Sequence, residues 1–168
     1  MEGVSAGNNI EIKGNDWILH TGLDILPPAE KELSRRLRKA GWSEIEVYRM
    51  AYGFHEILIN AIAHGNLEVS KKKEDDNLGE LIKAELDAHP EKKNKKILVH
   101  VEVSPERVFI RIEDQGLGFS NKILEDSKTE ENMVKTHRRG IKTTAPIFEF
   151  GHDEGSNVVT LVKMKEQA

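Results

Sequence analysis

The chain has 168 residues, no cysteine, and a formal charge of −4 with 32% charged residues of both signs. This length favours one domain, or one domain with an insertion, and it suffices to bury a core without a covalent or metal staple. The missing cysteines exclude disulfides and cysteine-based nucleophiles or metal sites, and the near balance of charge gives no reason to expect a nucleic-acid partner.

The first predicted elements are a flexible segment, a strand or hairpin, and a helix. Residues 1–9 are polar and contain glycine, which is typical of a frayed end. Residues 10–19 place Trp17 and its apolar neighbours beside a Gly-Asn turn, which favours a strand or hairpin. Pro27-Pro28 then opens a helix that we expect to stop at Gly41. Its apolar stripe is Leu33, Leu37 and Ala40.

A longer helix follows. Ser43 and Glu46 have the spacing of a capping box, which predicts the start of this helix. Gly65-Asn66 predicts its end. The side that we expect to pack comprises Ile45, Val47, Met50, Phe54, Ile57, Leu58 and Ala61.

The stretch 70–96 is interpreted as a charged insertion. Lysines 71–73 precede three acidic residues, and residues 91–96 are again almost all polar. Between these runs, apolar residues recur at helical spacing up to His89-Pro90, which predicts a surface helix between two solvated linkers. The lysine runs are read as a solvated surface, with a partner-binding patch as the alternative.

Strands dominate the second half of the chain. Aliphatic residues recur at every second position over 97–103 and again over 108–113, and the turn 104–107 joins the two runs. This antiparallel hairpin delivers Asp114 at its end. Residues 151–156 form a turn-rich segment, and 158–164 predict a final strand. Helices before strands, with hairpin connections, predict an α+β fold in which helices cover one face of a largely antiparallel sheet.

The long helix carries the first candidate functional pair. Glu56 and Asn60 are four residues apart and therefore share one face of the helix. A glutamate there can take a proton from an attacking hydroxyl or water, and an asparagine carbonyl can supply one oxygen to Mg²⁺. The alternative is the wet side of an amphipathic helix. Apolar flanking residues favour a cleft over an open surface.

The second candidate motif is Asp114-Gln115-Gly116-Leu117-Gly118-Phe119, directly after a predicted strand. Such a motif is often a tight turn, because Asp accepts local N–H bonds and Gly adopts positive φ. The functional interpretation is that Asp114 accepts a hydrogen bond from an adenine amine. Gly116 and Gly118 would then let the backbone approach the nucleotide. The residues themselves leave both interpretations open.

A third candidate lies near residue 140. The polar stretch 120–135 has the composition of a mobile lid, and Gly140 would start a helix, whose N-terminus favours phosphate. Arg138 and Arg139 could pair with phosphate oxygens, or they could form a solvated basic cluster. His64 is expected at a helix end or cleft rim. The histidines show no ligand spacing, so no zinc site is predicted.

The order of these motifs resembles that of the Bergerat-fold (GHKL-type) ATPases, which include gyrase-type topoisomerases, sensor histidine kinases and MutL. Within that superfamily the chain is most similar to the small anti-sigma-factor serine kinases, over roughly residues 33–163. The motifs that carry the resemblance are Glu56-x-x-x-Asn60, His64-Gly65-Asn66, Asp114 to Phe119, Arg139-Gly140-Ile141 and the closing run from Gly155 to Lys163.

The resemblance implies a two-layer α/β sandwich with a mixed, largely antiparallel sheet, and with ATP bound between helices and a lid. It implies a partly flexible segment and first strand at 1–20, followed by a single histidine-kinase-like ATP-binding domain at 21–168. Glu56 would be the general base and Asn60 the Mg²⁺ ligand, with His64 nearby. Asp114 would read adenine. The phosphates would meet Arg138, Arg139 and Gly140, and the glycines Gly116 and Gly118 would shape the pocket.

The chain departs from the family pattern at the second glycine box. Arg138 stands where the family usually has the first glycine, and Pro146 falls where the family continues a helix. A proline in a helix interior costs about 3 kcal/mol, so this helix is either short or rebuilt at its phosphate end.

The function implied is an ATP- and Mg²⁺-dependent serine/threonine protein kinase that regulates transcription by partner switching. Its protein partners would be an anti-sigma-factor antagonist, a sigma factor or another signalling protein, and a homodimer stays open. The alternative is a nucleotide-binding switch or interaction module of the same fold without catalysis. The sequence has no long apolar run and no early basic-then-apolar segment, so we expect no membrane span or secretory signal. A reducing cytoplasm is the simplest location.

Overall fold

A computed structural model describes residues 9–69, 77–116, 147–152 and 156–166. Within these ranges the chain forms six strands and three α-helices, which confirms the predicted α+β class. In chain order they are β1 Ile10–Lys13, β2 Asp16–His20, α1 Leu26–Lys39, α2 Glu44–Asn60, α3 Leu78–Ala88, β3 Lys96–Val103, β4 Arg107–Glu113, β5 Glu149–His152 and β6 Val158–Met164.

The strands form one sheet in the order β1-β2-β3-β4-β6-β5. Each described pairing is antiparallel, so the part of the sheet that the structure describes contains none of the parallel pairs a mixed sheet would have. Two of the connections are the predicted hairpins. Gly14 turns β1 into β2 with a φ of 59°, a left-handed conformation that glycine adopts without strain. Ser104 closes the β3–β4 turn, where its Oγ accepts the backbone N–H of Arg107 at 3.0 Å.

The core lies on one face of the sheet, beneath α1 and α2. Trp17 on β2 is opposite Val99 on β3, which is opposite Ile112 on β4, and all three side chains are buried. The Trp17 ring meets Phe54 of α2 edge-on, with 6.2 Å between ring centroids. The opposite face of the sheet is more exposed to solvent. There Leu98 is 41% exposed.

Both ends of α1 and the start of α2 are where the sequence predicts them. Pro27 and Pro28 lie in the first turn of α1, and Gly41 follows its end with a φ of 95°. Ser43 Oγ accepts the N–H of Glu46 at 3.2 Å, and the Glu46 carboxylate accepts the N–H of Ser43, so the capping box is complete. Such a cap satisfies two helix N–H groups that have no partner within the helix.

The predicted packed side of α2 is wrong at Ile45, which is 66% exposed. Ile45 shares a helix face with Tyr48 and Tyr52, at intervals of three and four residues, and both tyrosines are also exposed. The other six residues predicted to pack are buried. The position of Ile45 in the first turn made its side ambiguous, because few apolar neighbours precede it.

The region after α3 is largely exposed and contains a short 3-10 turn, Pro90–Asn94. Lys92 Nζ donates to Glu85 Oε1 at 2.6 Å. Lys95 Nζ donates to the backbone oxygen of Asn66 at 3.0 Å. These two lysines therefore tie the segment between α3 and β3 to neighbouring elements by hydrogen bonds. Of the side chains of α3, Ile82 alone is fully buried, as a surface helix requires.

Residues 151 and 152 belong to an edge strand, although the sequence predicts a turn there. Gly151 lies opposite Thr160 of β6, and His152 lies opposite Val159. A Cβ atom on Gly151 would overlap the hydroxyl of Thr160, so the glycine permits close packing of the two strands. Glycine lowers strand propensity, which hides this short strand from a sequence reading. No helix among the described residues is long and apolar enough to cross a membrane.

Candidate functional site

The site begins where α2 changes its winding. After Asn60 the helix continues as a wider π-helical segment, Ala61–Asn66, and the N–H of Leu67 donates to the carbonyl of Ile62 at 3.0 Å. π-helical turns are rare and frequently occur at functional sites. Here the segment carries His64, Gly65 and Asn66 toward the ends of the central strands.

Glu56 and Asn60 lie in the last turns of α2, and both side chains are half-buried. The next residues after Glu56, Ile57 and Leu58, are buried against the core. From within the described part of the chain, no hydrogen bond reaches the Glu56 carboxylate or the Asn60 carboxamide. Among the described residues, nothing therefore occupies the two polar groups, and both can contact a bound ligand.

Asp114 follows β4 and is held by local hydrogen bonds. Its Oδ1 accepts the backbone N–H of Gly116 at 2.8 Å, which is the turn geometry that the sequence left open. Burial raises the pKa of Asp114 above its ordinary value, and the charge of Glu113 adds to this rise. The N–H of Gly116 and the ammonium of Lys95 act in the opposite direction on that pKa. Ionisation of this half-buried carboxyl group is therefore less favourable than in water.

Gly65 packs directly against Asp114 and Gly116. A Cβ atom on Gly65 would lie 2.8 Å from Asp114 Oδ1 and would overlap Cγ and Oδ2. A Cβ atom on Gly116 would overlap the carbonyl of Gly65 and lie 2.9 Å from Asp114 Oδ1. Gly65 therefore makes room for the Asp114 side chain, and Gly116 makes room for the Gly65 backbone. Neither glycine has a positive φ. This contact joins the helix of Glu56 and Asn60 to the loop of Asp114.

Asn66 has a structural role that the sequence did not predict, where it was named as a helix end and as part of the His64-Gly65-Asn66 motif. It is fully buried, and its Nδ2 donates to Thr21 Oγ1 at 2.8 Å and to the carbonyl of Lys96 at 3.2 Å. Its Oδ1 accepts the backbone N–H of Gln115 at 2.6 Å. A Gly-Asn pair at a helix end usually signals only a cap, so the sequence carries no distinct signal for this network.

His64 is half-buried, and its Nδ1 lies 2.7 Å from the carbonyl of Val69. It therefore occupies the predicted helix-end position. Throughout the ranges that the structure covers, no three His, Asp or Glu side chains gather in a way that could hold a metal ion. Asn60 is the predicted Mg²⁺ ligand within these ranges.

Several predicted site residues lie outside the described residues. They are Gly118, Arg138, Arg139 and Gly140, and the predicted lid at 120–137 lies there as well. The structure thus brings together, through Gly65, the helix with Glu56, Asn60 and His64 and the loop with Asp114 and Gly116. A search of protein families finds no family model that matches the sequence, and no curated protein matches it at the threshold applied.

Proposed function

We propose that the chain is an ATP-binding protein of the Bergerat fold that acts as a serine/threonine protein kinase in partner-switching control of transcription. The observation that carries the proposal is the contact of Gly65 with Asp114 and Gly116. It places the end of the Glu56–Asn60 helix beside the acidic loop. The resemblance implies that ATP binds between this helix and this loop.

The Asp114 carboxylate has the character of an adenine acceptor. Oδ1 is oriented by the N–H of Gly116, and no N–H or O–H group of the described ranges donates to Oδ2. A partly buried acceptor discriminates strongly, because leaving it unpaired costs more than the hydrogen bond itself contributes. A base with an amine at the matching position would therefore be preferred over one with an oxo group.

The residues on α2 fit the other end of a nucleotide. Asn60 would hold Mg²⁺, which usually keeps several waters and takes its remaining ligands from phosphate oxygens. The ion supplies charge neutralisation for the phosphates. Glu56 would accept the proton of an attacking serine or threonine hydroxyl on the partner protein. Neither side chain is engaged by another group in the described ranges, so both are available for these roles.

A nucleotide-dependent switch without phosphotransfer is the second candidate. Arg138 in the second glycine box and Pro146 in the following segment favour it, since both change the phosphate end of the family pattern. Both candidates require nucleotide binding. Turnover with labelled ATP and candidate partner proteins separates them.

Thermal denaturation with and without Mg²⁺-ADP tests the proposal. A ligand at a hundred times its dissociation constant stabilises the folded state by about 2.7 kcal/mol, which is roughly 5–10 °C in a domain of this size. Asp114→Ala should abolish this rise. Asp87→Ala, an exposed acid on α3, is the matched control and should keep it. Wild-type protein that shows neither a shift nor calorimetric heat with millimolar ADP or ATP would refute the nucleotide site.

A further inference from the structure

Two asparagine side chains from distant parts of the chain hold the peptide unit that joins Asp114 to Gln115. Asn66 Oδ1 accepts its N–H, on Gln115, at 2.6 Å. Asn157 Nδ2 donates to its carbonyl, on Asp114, at 2.8 Å. The N–H of Asp114 donates in turn to the carbonyl of Asn157 at 3.2 Å. The peptide units around Asp114 are thereby held from the helix side and from the β6 side.

The Asn66 side of this arrangement is a buried network. The side-chain NH₂ group of Asn66 donates two hydrogen bonds within the fold, to the Thr21 hydroxyl and to the Lys96 carbonyl. The Gln115 side chain completes a second link, because its Oε1 accepts the N–H of Lys96 at 2.6 Å. The carboxamide of Asn66 is therefore fixed in orientation, with its oxygen aimed at Gln115. Because the Asn66 oxygen is held in place, it also holds the Gln115 N–H in place.

The network divides into a part that touches the Asp114 loop and a part that does not. Thr21 Oγ1 donates to the carbonyl of Lys95 at 2.7 Å and accepts from Asn66, but it has no contact with residues 114–116 among the described hydrogen bonds. Loss of the Thr21 hydroxyl would leave Asn66 its bonds to Lys96 and Gln115. Thr21 therefore provides a way to weaken the same buried network without releasing the loop.

We propose that Asn66 and Asn157 are positioning residues that set the base preference of the nucleotide site by fixing the orientation of the Asp114 carboxylate. The inference rests on the proposed function. The carboxylate distinguishes an amine from an oxo group at one position of the purine only while its direction is held. When the flanking peptides are released, the carboxylate reorients, and the preference falls while the phosphate contacts continue to bind.

Isothermal titration of ADP and of inosine diphosphate, each with Mg²⁺, measures this preference as a ratio of dissociation constants. The wild type should prefer ADP by about tenfold or more, since the oxo group leaves a charged acceptor unpaired. Asn66→Ala and Asn157→Ala should each lower the ratio by about fivefold, the worth of one positioning hydrogen bond. Thr21→Val, the matched control, should lose thermal stability and keep the wild-type ratio. Titrations are made at low temperature, with circular dichroism as the check that each variant is folded.

Amide hydrogen exchange provides a second measurement that needs no nucleotide. The amide of Gln115 should exchange about fivefold faster or more in Asn66→Ala, and at the wild-type rate in Thr21→Val. If Asn66→Ala does not fold, Asn157→Ala decides the question, because Asn157 is half-buried and lies outside the Asn66 network.

The outcomes distinguish this inference from the proposed function. A wild type that binds neither nucleotide overturns both. A wild type that prefers ADP, with both asparagine variants keeping the full ratio, overturns the positioning role alone. The positioning role also fails if Thr21→Val lowers the ratio as much as Asn66→Ala does, since the effect would then follow general loosening. A lowered ratio in the asparagine variants alone supports it.

Discussion

Gly65 and Asp114 are packed so closely that no side chain fits on Gly65 while the carboxylate stays in place: an added Cβ atom would lie 2.8 Å from Oδ1 and overlap Oδ2. Gly65 lies in the π-helical segment that continues the helix of Glu56 and Asn60, and Asp114 directly follows the central strand β4. The contact therefore sets the spacing between the two halves of the candidate site.

Gly65→Ala is expected to destabilise the protein and to weaken ADP binding. Helix propensity alone predicts the reverse, since alanine is favoured over glycine by about 1 kcal/mol in a helix. The overlap with Asp114 should outweigh this gain and cost about 1–3 kcal/mol, as overpacking does in well-packed cores. Urea denaturation measures the change. In Gly65→Ala combined with Asp114→Ala the stability should return, because the carboxylate has gone; a more stable single variant would contradict the packing argument.

Asp114→Asn is expected to stabilise the protein without nucleotide at pH 7. The pKa of Asp114 is raised in the folded state, so ionisation opposes folding. Stability is therefore lost as pH rises from the ordinary value of 3.8 through the raised folded pKa. The amide removes this cost, and the advantage of the variant over wild type should shrink as pH falls toward 3.8. Melting temperatures of both proteins across this range test the sign.

The same variant should lose the thermal shift with ADP. Oδ1 is engaged by the N–H of Gly116, so the amide would present its NH₂ group where an acceptor is required. Glu113→Gln is the companion variant, because removing the Glu113 charge should lower the pKa of Asp114 in a carboxyl NMR titration. A less stable Asp114→Asn protein at pH 7 would show that the carboxylate is a structural group.

Glu56→Gln and Asn60→Ala should have different effects. Glu56→Gln should keep the affinity for Mg²⁺-ATP and reduce turnover by about 10²–10⁴-fold, the usual contribution of general acid–base catalysis. Asn60→Ala should weaken ATP chiefly when Mg²⁺ is present. Affinity with and without Mg²⁺, measured beside turnover, separates these roles. Glu44→Gln, an exposed glutamate at the start of the same helix, is the control.

Three results are informative in that series. A switch without chemistry should show the Asn60 effect and no turnover in the wild type for Glu56→Gln to reduce. If Glu56 and Asn60 only form the solvent-exposed face of an amphipathic helix, neither substitution should have an effect. Equal behaviour of wild type, both variants and the control would remove Glu56 and Asn60 from the site.

His100 on the outer face of the sheet should make stability depend on pH. Its Nδ1 lies 2.8 Å from Asp16 and its Nε2 lies 3.2 Å from Glu102, and these carboxylates raise its pKa above the ordinary value of 6.5. Arg111 faces it from β4 and pairs with Glu113. The stabilisation is fully present below pH 6.5 and is lost as pH rises through the raised folded pKa.

His100→Gln should therefore lower the melting temperature more at pH 5.5 than at pH 9. Asp16 is largely exposed, so the difference should be small, within about 1 kcal/mol. In Asp16→Asn, an NMR titration should find the pKa of His100 closer to its ordinary value. An equal loss of stability at both pH values would mean that the His100 ring stabilises the sheet by packing alone.

Local signals in the sequence were sufficient for most of the elements. The alternation over 97–103 and 108–113 predicted the β3–β4 hairpin and its inward residues, because a strand places successive side chains on opposite faces. The Ser43–Glu46 capping box predicted the start of α2, because both of its hydrogen bonds are made within one turn of chain. Strand β5 was missed because its glycine gives no local strand signal.

The sequence alone therefore determined the α+β class, the main hairpins, the helix starts, and which polar residues are candidates for a nucleotide site. Tertiary structure decided that Ile45 faces solvent, that Gly65 meets Asp114, and that Asn66 holds Gln115. The physical reason is the separation along the chain of the residues that interact. A cap, a turn or a strand alternation depends on residues a few positions apart, whereas these contacts depend on how far α2 extends before it reaches the ends of β3 and β4.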